Sequence, residues 1–144
     1  MNNRMNNRTQ NEKEQIAVRK VDRQQLDEAI AVLSRSDEVE WSDMHTGEKD
    51  ENGNEILTFS YPLYPPEIFP VLRYLEIDYH FGEHYEHNCK NTPIEEMDLS
   101  QIRTMFTWLV QSERFCDGFI ADEIENGHLL ALFRRLRELT RGDE

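Results

Sequence analysis

The residues best suited to chemistry lie in a short segment near the middle of this 144-residue chain. Three histidines, His80, His84 and His87, follow one another at spacings of four and three residues. If the segment is helical, these spacings place all three on one face, where imidazole nitrogens can converge on a metal ion. Glu83 would lie beside that face as a base or as a group that orients a ligand. The segment therefore predicts a metal-binding protein or hydrolase, or else a solvated loop with three ordinary histidines.

The uneven distribution of charge is a second functional signal. The chain has 16 basic and 29 acidic residues, a net charge of −13, and residues 36–98 alone hold sixteen acidic and three basic side chains. A field of this sign attracts cationic partners and repels nucleic acids and anionic membranes. Aromatic side chains among acids are typical of the anchors and rims of protein interfaces. The residues predicted to bind a partner are Trp41, Asp43, Glu48, Asp50, Glu51, Glu55, Tyr61 and Tyr64.

These features favour a non-enzymatic protein-binding or regulatory module in the cytoplasm. We expect a protein partner with a basic surface, no direct contact with nucleic acid and no membrane, and the sequence is compatible with a homodimer. In its boldest form the protein inhibits a nucleic-acid-binding protein by mimicking phosphate charge. The alternative is that acidic loops only keep a small protein in solution. The chain has no Gly-rich phosphate loop, GxSxG elbow or dinucleotide fingerprint, so an enzyme is disfavoured, and no cofactor is expected apart from the divalent metal considered above.

A turn in the C-terminal third offers a third kind of site. Glu113 and Arg114 lie just before Gly118, where they could form a pocket for an anion or small ligand at the start of a helix, or simply fix the turn. Cys116 lies in the same turn, and a helix start and a nearby arginine lower the pKa of a thiol. His128 is a conceivable base for it. The favoured interpretation of Cys116 is a small buried hydrophobe beside a phenylalanine.

Hydrophobic periodicity predicts the elements that carry these residues. Apolar residues recur at helical spacing in several segments and alternate with polar ones in residues 37–62, which predicts a mainly α (α+β) fold of four or five packed helices with a small two-stranded β-hairpin. Capping boxes are predicted where Asp22 precedes Gln25 and where Asp98 precedes Gln101. The chain length suits one domain, residues 21–142, after a disordered polar tail, residues 1–20.

The stretch from residue 112 to residue 136 resembles the signature of a bacterial family of unknown function, DUF6508. The pattern is an Arg-Phe-x-x-Gly turn, a short helix that ends in glycine, and a leucine-rich helix that closes on Arg-Leu. It is matched by Arg114, Phe115, Gly118, Gly127 and Leu136. Upstream, Tyr61 and Tyr64 resemble the family's Tyr-x-x-Tyr approach to its middle helix.

The resemblance implies a small, standalone cytoplasmic protein of the kind carried on bacterial chromosomes and mobile elements. It extends over residues 25–140 and is strongest after Asp98. The family has no assigned activity, so the resemblance implies no catalytic residue. The histidine-rich segment is not part of the family pattern, which makes any site there particular to this chain.

Overall fold

The computed structural model describes residues 22–141. Within this range the chain forms six α-helices and one antiparallel β-hairpin. In chain order the elements are α1 (Arg23–Arg35), β1 (Glu40–Lys49), β2 (Glu55–Leu63), α2 (Ile68–Tyr74), α3 (Phe81–His84), α4 (Leu99–Phe115), α5 (Phe119–Glu125) and α6 (His128–Leu139). A π-helical turn, Tyr85–Cys89, continues α3, and a 3₁₀ turn, Ile94–Glu96, precedes α4. The mainly α fold with a small hairpin is confirmed, while the predicted tail, residues 1–20, lies outside the described residues.

Side-chain caps fix the first residues of the two long helices. At α4 the capping box is complete, because Asp98 Oδ1 accepts the Gln101 backbone N–H at 2.8 Å and Gln101 Oε1 accepts the Asp98 N–H at 2.9 Å. At α1 the Asp22 carboxylate accepts two backbone N–H groups, but the Gln25 side chain accepts a hydrogen bond from the Tyr74 hydroxyl. Of the capping box predicted here, the Asp22 half is formed, while the Gln25 side chain connects α1 to α2.

The core lies between the helices. The Phe106 and Phe133 rings meet edge to face at 5.6 Å at its centre. Arg23 fastens α1 to the end of α6, because its guanidinium donates to the carbonyl of Thr140 at 2.8 Å. The largest fully buried side chains come from five helices and from Met97, which follows the 3₁₀ turn: Leu26, Ile68, Val71, Met97, Ile102, Phe106, Leu109, Ile120, Leu129, Leu132, Phe133 and Leu136.

The β-hairpin lies outside this core. Its strands pair from Glu40↔Leu63 to Lys49↔Glu55, and the register shifts after Met44. Asp50 shapes the connecting turn, since its Oδ1 accepts the N–H groups of Asn52 and Asn54 at 2.9 Å each. Among the hairpin side chains that the structure describes, none belongs to the buried core.

Across residues 22–141, no helix combines the length and the apolar character that crossing a membrane requires.

Candidate functional site

The hairpin presents a group of exposed apolar side chains. Residues directly opposite in an antiparallel pair share a face of the ribbon. Met44 is opposite Phe59, and Tyr61 and Leu63 follow Phe59 at alternate positions, so these four residues share one side, which we call the apolar hairpin face. The Phe59 and Tyr61 rings lie 6.1 Å apart. Phe59 and Leu63 are each 47% exposed and Met44 is 42% exposed. Contiguous apolar exposure of this kind marks interaction surfaces.

Carboxylates are concentrated in the hairpin that carries this face, with Asp43, which pairs with Ser60, on the opposite side of the ribbon. Residues 40–63 hold six acidic side chains and a single basic one apart from histidine, Lys49. Some of the acids also have local partners: Asp43 accepts the Ser60 hydroxyl at 2.6 Å, and Glu55 lies 3.7 Å from His45 Nδ1. A carboxylate that accepts a neutral hydroxyl keeps its charge. We use the name acidic rim for the set Glu40, Asp43, Glu48, Asp50, Glu51 and Glu55, all exposed.

Trp41 connects the hairpin to the helical body. Its indole rests against Gly118, so closely that a Cβ on this glycine would lie 2.6 Å from Trp41 Cη2. Gly118 is buried and has φ of +96°, a left-handed conformation that favours glycine. The indole remains 46% exposed. Trp41, predicted as a partner contact, therefore also positions the hairpin.

The turn before α5 is organised by Glu113. Its carboxylate accepts the backbone N–H of Gly118 at 3.0 Å and of Ile120 at 2.8 Å, and it accepts the Tyr64 hydroxyl at 2.8 Å. The N–H of Ala121 donates to the Tyr64 oxygen at 3.0 Å. The donors at this helix start are thus used by the chain itself, which favours the interpretation of the turn as structural. Tyr64 is among the predicted partner contacts, but its hydroxyl lies in this internal network.

The residues that match the family pattern lie in two different environments. Gly118 and Gly127 precede α5 and α6 in left-handed conformations, with φ of +96° and +83°. Arg114 and Phe115 are exposed, and Phe115 is 89% exposed. The expectation that Cys116 is a buried hydrophobe beside Phe115 is wrong, because both side chains face solvent where α4 ends.

The histidine segment is organised by a buried acid that sequence analysis did not select. Asp78 is 2% exposed, and its carboxylate accepts the Thr104 hydroxyl at 2.6 Å and the His80 N–H at 2.9 Å, with His84 Nδ1 at 2.8 Å. Burial alone would raise the pKa of Asp78, but the hydrogen bonds from Thr104 and His84 outweigh it and hold the pKa below its usual value. The only indication of this role in the sequence is that Asp78 follows two apolar residues, Leu75 and Ile77.

The three histidines do not follow one regular helical face. His80 precedes α3, His84 ends it, and His87 lies in the π-helical turn, which changes the spacing assumed for one face. The His80 and His84 ring centroids are 6.0 Å apart. Within the described part of the chain, no three histidine, cysteine, aspartate or glutamate side chains are grouped so that they could hold a metal ion. Metal binding by His80, His84 and His87 stays a prediction.

The family assignment rests on nearly the whole chain. Residues 18–142 match the model of a family of unknown function, DUF6508. The chain belongs to this family. The match confirms the resemblance first noted between residues 112 and 136, and the DUF6508 region contains both the hairpin and the Glu113 turn. Comparison with curated proteins and with solved structures finds no match.

Proposed function

We propose that this DUF6508 protein is a non-enzymatic binding module that uses its hairpin to bind a protein with a basic surface. The apolar hairpin face supplies the anchor and the acidic rim supplies the complementary charge. The observation that carries the proposal is the exposure of Met44, Phe59 and Leu63 on a ribbon that lies outside the core.

The apolar hairpin face supports a binding role because none of its four side chains belongs to the buried core. An isolated two-stranded hairpin is marginal in water and is normally stabilised by packing against another layer. Here the helical body contacts the ribbon through Trp41 on the side opposite Phe59. A partner that covers Phe59 and Leu63 would remove apolar surface from water and stabilise the ribbon at the same time.

The acidic rim supports a partner of opposite charge. Six carboxylates and one lysine give residues 40–63 a net charge of −5. Rim charges mainly accelerate association and select the partner, while the buried centre determines how long the complex lasts. The expected partner therefore has lysine or arginine side chains around an apolar depression. In the narrower form of the proposal, the carboxylates occupy the positions of nucleic-acid phosphates on such a partner.

The experiment compares matched baits. Lysate proteins are captured on the wild-type chain, on a face variant with Met44→Ser and Phe59→Ser, and on a rim variant with Glu51→Gln and Glu55→Gln. The control is Tyr79→Ser with Glu125→Gln, which removes an aromatic residue that is 85% exposed and an exposed acid, both outside the hairpin. Captured proteins are identified by mass spectrometry, and the affinity of each is measured with purified components.

We expect a basic protein that binds the wild type and the control equally. The face variant should lose about tenfold or more in affinity, because truncation of a buried aromatic anchor costs more than about 1.4 kcal/mol. The rim variant should associate more slowly and depend less on salt. A captured protein that is acidic, or that binds the face variant as tightly as the wild type, would contradict the proposal.

A further inference from the structure

A cavity of about 520 Å³ lies beside the π-helical turn, and no residue of the hairpin lines it. The π-helical turn, the 3₁₀ turn, α4, α5 and α6 all contribute to its walls. Pockets that hold small organic ligands commonly measure about 300–1,000 Å³. Its apolar wall contains Tyr85, Cys89, Met97, Met105, Trp108 and Ala131.

The chemistry of this wall suits a flat apolar body. Met97 and Met105 are buried, and thioethers adapt their shape to aromatic rings and contact them favourably. Tyr85 and Trp108 stack on each other with centroids 4.4 Å apart and planes 8° apart, which makes this part of the wall rigid. A lining that combines rigid aromatic rings with adaptable thioethers favours a ligand with one ring.

The charged groups of the cavity favour a cation. Glu123 is 13% exposed, the least exposed charge among those that line the cavity, and its carboxylate lies 3.0 Å from His128 Nδ1. Lys90 also lines the cavity, but its ammonium pairs with Glu86 at 2.9 Å. Glu95 adds a second carboxylate. An ammonium group can still bind Glu123, because a carboxylate accepts about four hydrogen bonds.

We propose that this cavity binds a small organic amine, with an aromatic or apolar body between the thioether and aromatic walls and its ammonium group at Glu123. The low exposure of Glu123 strengthens such a pair relative to one at the open surface. The site is independent of the hairpin and of the partner proposed above, since it shares no residue with the apolar hairpin face or the acidic rim.

Three probes with nearly the same body test the proposal: 3-phenylpropylamine, 3-phenylpropanol and 3-phenylpropionate. Binding to the full chain is measured by isothermal titration calorimetry and by the shift in melting temperature. We expect the amine to bind about tenfold more tightly than the alcohol, since a hydrogen bond to a charged group contributes about 1.5–3 kcal/mol. The carboxylate should bind most weakly.

Variants locate the site. Ala131→Leu places a larger side chain on the α6 wall and should lower the affinity for the amine at least about tenfold. Glu123→Gln should remove the advantage of the amine over the alcohol, while Glu125→Gln, an exposed acid two residues further along α5, should change neither. Circular dichroism checks that each variant is folded, and Glu123→Gln decides the outcome even if Ala131→Leu does not fold.

Three results would overturn the proposal. The first is that the amine shows no binding at concentrations up to about 10 mM. Its Kd would then be weaker than that of ordinary fragment-sized ligands. The second is equal affinity for amine, alcohol and carboxylate in the wild type. The third is unchanged amine binding in Glu123→Gln.

Discussion

The Tyr64 hydroxyl donates a 2.8 Å hydrogen bond to Glu113 Oε1 and so joins the segment after the hairpin to the last turns of α4. The same oxygen accepts the N–H of Ala121 in α5. Burial, followed by the neighbouring Glu113 carboxylate, raises the pKa of Tyr64 well above its usual value, so the hydroxyl stays a donor. One phenol thereby fixes three elements relative to one another, including the turn against which Trp41 packs.

Replacement of this phenol should cost measurable stability. In Tyr64→Phe the Glu113 carboxylate loses a donor and the Ala121 N–H loses an acceptor while the ring remains, so we expect a loss of about 1–3 kcal/mol in the free energy of unfolding. Urea denaturation followed by circular dichroism gives this value. Tyr79→Phe, at a position 85% exposed, is the control and should change stability by less than about 0.5 kcal/mol. Equal stability of the two variants would show that the Tyr64 hydroxyl contributes nothing.

The elements that sequence analysis predicted correctly are those set by neighbouring residues. The Asp98 and Gln101 side chains bond to backbone groups three residues away, and the apolar stripe of α4 repeats within the same helix. The hairpin follows from alternation on either side of a turn at Asp50. In each case the interaction that decides the structure lies within a few residues, where periodicity and capping rules apply.

The site could not be predicted in the same way, because its decisive contacts join distant residues. Tyr64 and Glu113 are 49 residues apart, and Asp78 meets Thr104 across 26 residues. In the sequence Tyr64 is one more exposed aromatic residue and Asp78 one more acid in a negative segment. Only the packing of α4 against the histidine segment turns Asp78 into a buried acceptor. Composition alone assigns such residues to the surface, whereas contacts with residues distant in the sequence bury them and give them a structural role.

Gly118→Ala and Gly127→Ala form a matched pair that tests the Trp41 contact. Both glycines have left-handed φ angles, so alanine costs about 1–2 kcal/mol at either position. A Cβ at Gly127 meets nothing within 4 Å, whereas a Cβ at Gly118 meets the Trp41 ring. We therefore expect Gly118→Ala to be destabilised further, by about 1–3 kcal/mol relative to Gly127→Ala.

The Trp41 ring provides the internal control for this comparison. In a Trp41→Ala background the steric part of the Gly118→Ala penalty should disappear, leaving a cost close to that of Gly127→Ala. Thermal unfolding of the wild type, Trp41→Ala, the two single glycine variants and the Trp41→Ala/Gly118→Ala double variant measures it. A Gly118→Ala penalty that is the same with and without the indole would mean that the hairpin does not rest on this turn.

Asp78 should make stability depend on pH in the acid range. Its folded pKa is lowered, so its contribution is present above the usual carboxyl pKa of about 4 and is lost as the pH falls through the folded value. As the pH falls below about 4, the wild type should therefore lose stability more steeply than Asp78→Asn, which cannot titrate there. Urea midpoints measured across this range give both slopes. Parallel slopes would assign the acid sensitivity to other carboxylates.

The two cysteines should differ sharply in reactivity. Cys89 is 3% exposed, and burial, with a smaller effect of the Asp98 and Asp78 charges, raises the pKa of its thiol to about 11. Cys116 is exposed at the end of α4. Because the thiolate is the reactive form and the reagent must reach it, iodoacetamide at pH 8 should label Cys116 in the folded protein and leave Cys89 unmodified.

Peptide mapping by mass spectrometry measures the labelling at each thiol. Cys116→Ser should leave the folded protein with almost no incorporation, and addition of denaturant should then expose Cys89 to the reagent. The labelling rate of Cys89 in this variant reports opening of the π-helical turn, since Cys89 borders the cavity but is only 3% exposed. Rapid labelling of Cys89 in the native state would show that this turn opens often, whereas slow labelling that tracks global unfolding would show that it is part of the stable core.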